Sequence, residues 1–247
     1  MSEPKAVPGR SRPVIAIVSV IVALVILVGL GLWQLERRDW KAALNATLAE
    51  RSQAAPAVLA PSRDWPSLRQ DDDEFRRVRL TVTFPESRDA VVYAGGSALR
   101  PEIKTPGYFV FSVAQLSDGA RIVINRGHAA EALAQARSHA RPSGPVEIIG
   151  ALRWPESGGL FVTPYEPKDD TWFVRDPQGM AMRNGWGDVA SFYIEQEAPV
   201  PPGGSPRPGP LTVTLRDPHL GYALTWFGLA AVLAVMSLVW LFRREKA

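Results

Sequence analysis

The sequence predicts a membrane protein in which two transmembrane α-helices flank a mainly antiparallel β extramembrane domain with minor helices. Three observations predict it. Val14 to Trp33 (VIAIVSVIVALVILVGLGLW) carries no charge and, at 1.5 Å per residue, spans about 30 Å, the hydrocarbon thickness of a bilayer. Gly221 to Phe242 (GYALTWFGLAAVLAVMSLVWLF) is a second such run, again with aromatics near its ends. Between the two, from Arg76 onward, apolar and polar residues alternate with the period of a half-buried strand.

Taken in order, residues 1–13 form a short basic tail with Lys5, Arg10 and Arg12, and residues 14–34 the first span. The apolar run is longer than the core of a signal peptide and has no Ala-x-Ala site after it, so a retained anchor is expected. Residues 34–55 continue the helix, with Trp40, Leu44 and Leu48 recurring on one face. Pro56, Pro61 and Pro66 end helical structure, and Asp71-Asp72-Asp73-Glu74 is expected to be a solvated acidic loop without the spacing of a calcium loop. Strands are expected at Arg77–Phe84, Ala90–Tyr93, Tyr108–Val113, Arg121–Asn125, Val146–Trp154, Thr171–Arg175, Ser191–Glu195 and Leu211–Arg216. Short helices are expected near Ala129–Ala140 and Pro177–Asn184, and an extended Pro/Gly connector at 199–210. The second span takes residues 217–242. A basic tail, 243–247, follows with Arg243, Arg244 and Lys246. Two basic tails predict cytoplasmic termini and put residues 35–216 on the far side, in a periplasm; Arg37, Arg38 and Lys41 beside the first span run against this orientation, partly offset by Glu36 and Asp39.

Composition narrows the function. A formal net charge of +3 with no basic tracts argues against nucleic acid as a partner. With no cysteine there are no disulfides, thiolate metal sites or cysteine nucleophiles. No G-x-S-x-G, H-E-x-x-H, P-loop or dinucleotide fingerprint occurs, so no enzyme class has positive support. Met180 and Met182 could offer thioethers to Cu(I), but beside Arg183 and Asn184 with no nearby His the pair is expected to be ordinary helix packing.

Three histidines remain. His139 sits in a polar, Ala-rich stretch and is expected at the surface; His128 follows Asn125-Arg126-Gly127, expected to be a strand-ending turn. His219 lies at the outer mouth of the second span. In a helix starting near Asp217, His219, Tyr222, Trp226 and Ala230 share one face. A neutral imidazole above an aromatic wall suits an axial haem ligand. An interfacial histidine within an aromatic belt accounts for the same pattern and is the simpler explanation from geometry alone.

Several blocks together resemble the Surfeit locus protein 1 family, membrane factors for assembly of haem–copper cytochrome c oxidase. Gly31-Leu-Trp33-Gln34-Leu35-Glu-Arg37-Arg38-Asp-Trp40-Lys41 looks like the family's G-x-W-Q-x-x-R-x-x-W-K opening, and Arg77-Val78-Arg79-Leu80-Thr81-Val-Thr-Phe84 its R-V-x-L-x-G-x-F strand. Ile124-Asn125-Arg126-Gly127 is similar to V-N-R-G, and Pro201-Pro202-Gly203-Gly204 with His219-Leu-Gly-Tyr222-Ala223-Leu-Thr225-Trp226-Phe227-Gly228-Leu229 resembles the closing section. The chain departs from the pattern at Asp217 (often Asn), Val82 (commonly Gly) and His128 (commonly aromatic).

The resemblance implies a chaperone without catalytic turnover. It would act on oxidase subunit I in a bacterial inner membrane, with haem a as a transient cargo and haem a synthase as a further partner. By the same resemblance His219 would be the axial ligand to haem iron. Tyr222, Trp226 and Trp33 would flank the ring, Arg37 and Arg38 would meet the propionates, and Gly29, Gly31 and Gly228 would allow close approach of helices or ring.

Overall fold

The computed structural model describes residues 11–97, 99–130, 139–156, 163–212 and 217–245. The chain divides into two compact units, Met1–Ala46 with Leu215–Ala247, and Thr47–Thr214. The outer parts of both basic tails, with Lys5, Arg10 and Lys246, lie outside the described residues, as does most of the helix expected at Ala129–Ala140.

The first unit is built from two helices. The helix α1 (Ser11–Gln53) is continuous through Trp40, Leu44 and Leu48 and stops short of Pro56, as expected. The other, α2 (His219–Glu245), begins at the histidine itself. Both are long and apolar enough to cross a membrane. Large apolar side chains are more than half exposed on every side of them, among them Ile15, Val25, Leu224 and Met236. In water each such side chain forgoes about 1.5–3 kcal/mol of burial. A helix apolar all round belongs in lipid, so the pattern supports membrane anchoring.

The second unit is one nine-stranded sheet. Its strands are β1 (Ala57–Val58), β2 (Arg77–Val82), β3 (Ala90–Ala94), β4 (Gly107–Gln115), β5 (Arg121–Ala130), β6 (Val146–Arg153), β7 (Tyr165–Glu166), β8 (Thr171–Trp172) and β9 (Tyr193–Ala198). Their order is β1-β2-β6-β9-β5-β4-β3-β8-β7. The sheet is mainly antiparallel, as expected, but mixed rather than purely so. The pairs β2/β6, β6/β9, β5/β4, β4/β3 and β8/β7 are antiparallel, whereas β1/β2, β9/β5 and β3/β8 are parallel. Alternation of residues sets which face is buried, not the direction of the neighbour.

The sheet serves two cores. On one face Leu80, Ile122, Ile124, Ile148, Leu152 and Phe192 pack together, and Thr83 at the end of β2 bridges to Gln115 at the end of β4, curling the sheet around them. On the other face Phe109, Phe111, Val123, Trp172 and Tyr193 pack against Met180, Ala181 and Trp186. Met180 and Ala181 come from the short helix Pro177–Asn184, which has the expected signals. Asp176 accepts the Gly179 N–H at 3.0 Å, Pro177 opens the first turn, and Gly185 closes it in the left-handed region. Met180 is fully buried and Met182 is 87% exposed, so the two thioethers point apart and packing explains the pair.

Four local expectations are corrected. Asp71 to Asp73 form one helical turn rather than a loop, because Asp73 is buried, accepts the Arg69 N–H at 2.8 Å and pairs with Arg76 at 2.8 Å. Asn125-Arg126-Gly127 does not end a strand. It sits inside β5 at a register shift against Phe109 and Phe111, and Asn125 Oδ1 accepts the Gly127 N–H at 3.1 Å. Ala129 and Ala130 finish β5 instead of starting a helix, and Leu211 and Thr212 are not in a strand, while 213–216 lie outside the described residues. The Pro/Gly connector, without regular structure as expected, docks on β5: Arg207 exchanges two backbone hydrogen bonds with His128, at 3.0 and 2.7 Å, and its carbonyl also accepts from the buried Arg100 at 3.0 Å.

Candidate functional site at the mouth of the paired helices

In the two-helix unit, close approach is set by small residues. Gly31 of α1 is buried against the Phe227 ring of α2: a Cβ built on it would fall 2.5 Å from that ring. Ala223 and Ala230 are buried on the same side of α2. Gly29 and Gly228 have nothing within 4 Å of such a Cβ, so of the three glycines only Gly31 works as a helix contact.

One turn outward from Gly31, the buried Gln34 meets His219. Gln34 Oε1 lies 2.7 Å from His219 Nδ1, a hydrogen bond across the two helices. The His219 backbone N–H donates to Asp217 Oδ1 at 3.0 Å, which caps the first turn of α2 and puts a negative charge at its N-terminus. The family's Asn could cap equally well, so this departure preserves the geometry. His219 Nε2 makes no hydrogen bond among the described residues.

The other expected site residues divide into groups. Trp226 is half-buried on the His219 side, but Tyr222 is 55% exposed and does not join the helix contact, which runs through Ala223 instead. On α1, Trp33 and Trp40 are exposed, and the Arg37 guanidinium stacks 3.9 Å over the Trp40 ring. Arg38 is also exposed. An apolar groove of about 500 Å³ does run between the helices, lined by Val20, Leu24, Ala234, Ser237, Leu238 and Trp240. It begins at Ala234, about 22 Å along α2 from His219, and is a separate feature.

Sequence reasoning missed Gln34 as the partner of His219. The available signal was an uncharged polar side chain in the last turn of an otherwise apolar span, which must find a partner inside the membrane. Gln34 Oε1 can accept from Nδ1, and in the tautomer that donates there the neutral ring has its lone pair on Nε2, the arrangement in which imidazole binds a metal. The donor set therefore fits an axial haem ligand. In a Gly31→Leu chain the helices should be forced apart at this level. Cysteines placed at Gln34 and His219, in a chain with none of its own, should then cross-link with a short bismaleimide at least about tenfold more slowly than with Gly31 present. Equal rates would show that Gly31 does not set the approach.

The chain matches the SURF1 family over residues 21–231. It is 33% identical over 237 residues to a SURF1-like protein of Monosiga brevicollis, covering 90% of this chain and 85% of that one. Against Surfeit locus protein 1 of Homo sapiens it is 31% identical over 217 residues, 82% of this chain and 70% of the relative. A SURF1-like protein of the bacterium Rickettsia bellii is 26% identical over 222 residues, 88% and 87% of the two chains. Two apolar terminal helices that flank a mixed-sheet domain in sequence suggest a membrane-anchored class of protein. The chain belongs to the SURF1 family.

Proposed function

We propose that this protein is a non-enzymatic assembly factor for haem–copper cytochrome c oxidase that takes haem a as cargo at His219 and delivers it to subunit I. Family membership suggests the role in oxidase assembly. The observation that carries the finer reading is the His219–Gln34 pair, which fixes one ring nitrogen and leaves the other open at the mouth of two packed helices. In this reading Nε2 is the single protein ligand to the iron. Trp226 and the more exposed Tyr222 and Trp33 flank the ring, and Arg38, with Arg37 once it leaves Trp40, offers charge to the propionates. One axial bond at an open mouth favours handover over capture. The termini are cytoplasmic and the sheet domain periplasmic in a bacterial inner membrane, haem a synthase supplies the cargo, and subunit I receives it.

The test is the absorption spectrum of the full chain purified from cells making haem a. His219→Ala should retain less than about a tenth of the haem of the parent chain at equal protein, a loss of about 1.4 kcal/mol or more of binding free energy. Undiminished haem in His219→Ala would reject the ligand assignment.

A second reading, a scaffold that holds an oxidase intermediate without haem, is favoured by an exposed row of rings on the sheet. Tyr93 of β3 stands 5.9 Å from Tyr108 of β4 and 6.0 Å from Phe173, and both Tyr93 and Phe173 are over 40% exposed. Co-purification of subunit I with a colourless protein would favour this reading.

A further inference from the structure

Away from the helices, the sheet domain buries a charge cluster in which, among the described residues, cations outnumber anions. The Asp89 side chain is fully buried; its Oδ1 accepts from Ser112 Oγ at 2.7 Å and from Arg141. Arg126 competes for the same carboxylate, with Nη1 3.7 Å from Oδ2. Neither of those two atoms makes a hydrogen bond. Arg126 Nη2 donates to the Ala140 carbonyl, which is neutral. Two guanidiniums therefore share one carboxylate, and Arg141 holds the close contact. His139 adds no compensation. Burial lowers its pKa, an effect Asp89 opposes and Arg126 and Arg141 reinforce, so it stays neutral near pH 7. The Arg126 pKa is itself lowered, first by burial and further by Arg141, against the pull of Asp89. A buried cation short of a counter-charge is costly, and a bound anion would relieve it.

Arg126 lines a cavity of about 280 Å³. The rest of the wall is apolar or uncharged: Phe84, Ile148, Gln196, Pro142 and the start of the docked connector, Pro199 to Pro202. The Phe84 ring lies 5.5 Å from the Arg126 guanidinium carbon. Gln196 donates to the Pro199 carbonyl at 2.7 Å, which leaves its own Oε1 buried without a partner. Val200, at the rim, is 58% exposed, so the cavity reaches the surface. At about 30 Å³ per water-sized group, the space takes roughly nine such groups.

We propose that this cavity is a binding site for an organic carboxylate whose anion is held by Arg126 and whose small apolar body lies against Phe84 and the prolines. A donor on the ligand, such as an amide N–H, would satisfy Gln196 Oε1. Arg126 falls within the register shift of β5 and lines the cavity, so the Asn-Arg-Gly block belongs to the site. The same chemistry is offered by a free small acid and by the C-terminal residue of a polypeptide.

The full chain in detergent would be titrated with phenylacetate and with its neutral counterpart phenylacetamide, following binding by calorimetry. Two peptide probes would run beside them, acetyl-Gly-Gly-Phe with a free carboxylate and its C-terminal amide. The acid form of the matching probe should bind at least about tenfold tighter than the amide, and Arg126→Gln should remove that preference while Arg126→Lys keeps part of it. Preference in the small acid alone identifies a metabolite-sized ligand; a stronger preference in the peptide identifies a polypeptide C-terminus. Either result supports the site. Acid and amide binding alike, or no binding of either acid, overturns it, and this comparison on the unmodified chain stands even where Arg126→Gln fails to fold.

Discussion

Gly127→Ala should unfold the sheet domain at a temperature about 10 °C or more below that of the parent chain. Gly127 has φ +117, where an L side chain is strained by roughly 1–3 kcal/mol. Space is the larger obstacle. A Cβ there would lie 2.2 Å from the Arg207 carbonyl oxygen and 2.4 Å from the Pro208 nitrogen, both backbone atoms that no rotamer change can move. Arg207 is held in place by its paired hydrogen bonds with His128. The connector must then lift from β5, exposing the cavity wall and taking the Arg207 carbonyl from Nη1 of Arg100, which is only 2% exposed and keeps its Nε on Glu102 at 2.8 Å. A total of about 3–5 kcal/mol is expected, a large share of the 5–15 kcal/mol that typically holds a domain together. Gly203→Ala, in the same connector with nothing within 4 Å, should shift the midpoint by less than about 2 °C. Near-UV circular dichroism of the full chain on heating reads both. Equal midpoints for the two variants would refute the packing argument.

Asp89→Asn should cost about 3–5 kcal/mol, because it removes the one carboxylate shared by two buried guanidiniums while leaving side-chain shape almost unchanged. The Ser112 hydroxyl can still donate to the amide oxygen, so the loss reports charge rather than packing. Adding Arg141→Gln should restore part of the stability, since the pair is then neutralised together, and a double-mutant cycle should return a coupling of at least about 1 kcal/mol. Additive losses in urea unfolding would mean that Asp89 and Arg141 do not interact as the geometry requires.

The elements of this fold were more legible in the sequence than their partnerships. Alternation placed β2 almost to the residue, and the cap signals at Asp176, Pro177 and Gly185 placed the short helix, because both are local codes. The parallel pairing of β5 with β9 has no local code, since a strand buried on both faces looks the same beside a neighbour of either direction. Asn-Arg-Gly was read as a strand-ending turn, but the positive φ of Gly127 suits a bulge as well as a turn. Proline and glycine correctly denied the connector regular structure. They could not show that Arg207 docks on His128, because those bonds are made by backbone atoms common to every residue. At the candidate site, His219 was visible as a rare residue at a membrane edge, while Gln34 stood 185 positions away and required the helix pairing to be known. The Asp89 cluster was invisible for the same reason, drawn as it is from β4, β5 and segments beyond them.

The strand that joins the two halves of the sheet is also the last to be made. β9 lies between β6 and β5, and among the described residues the other link between the strands of the two halves is the short Thr83–Gln115 bridge from the end of β2 to β4. A growing chain that has emerged only as far as Ala190 holds β1, β2 and β6 on one side and β5, β4, β3, β8 and β7 on the other, pinned at Thr83–Gln115 but each with a naked hydrogen-bonding edge where β9 belongs. Synthesis runs from the N-terminus, so this state persists until Tyr193 to Ala198 arrives. The nascent protein therefore passes through an adhesive interval just before its closing helix is made. Premature termination between Trp172 and Tyr193 would leave two partial sheets with unpaired edges rather than a smaller working domain.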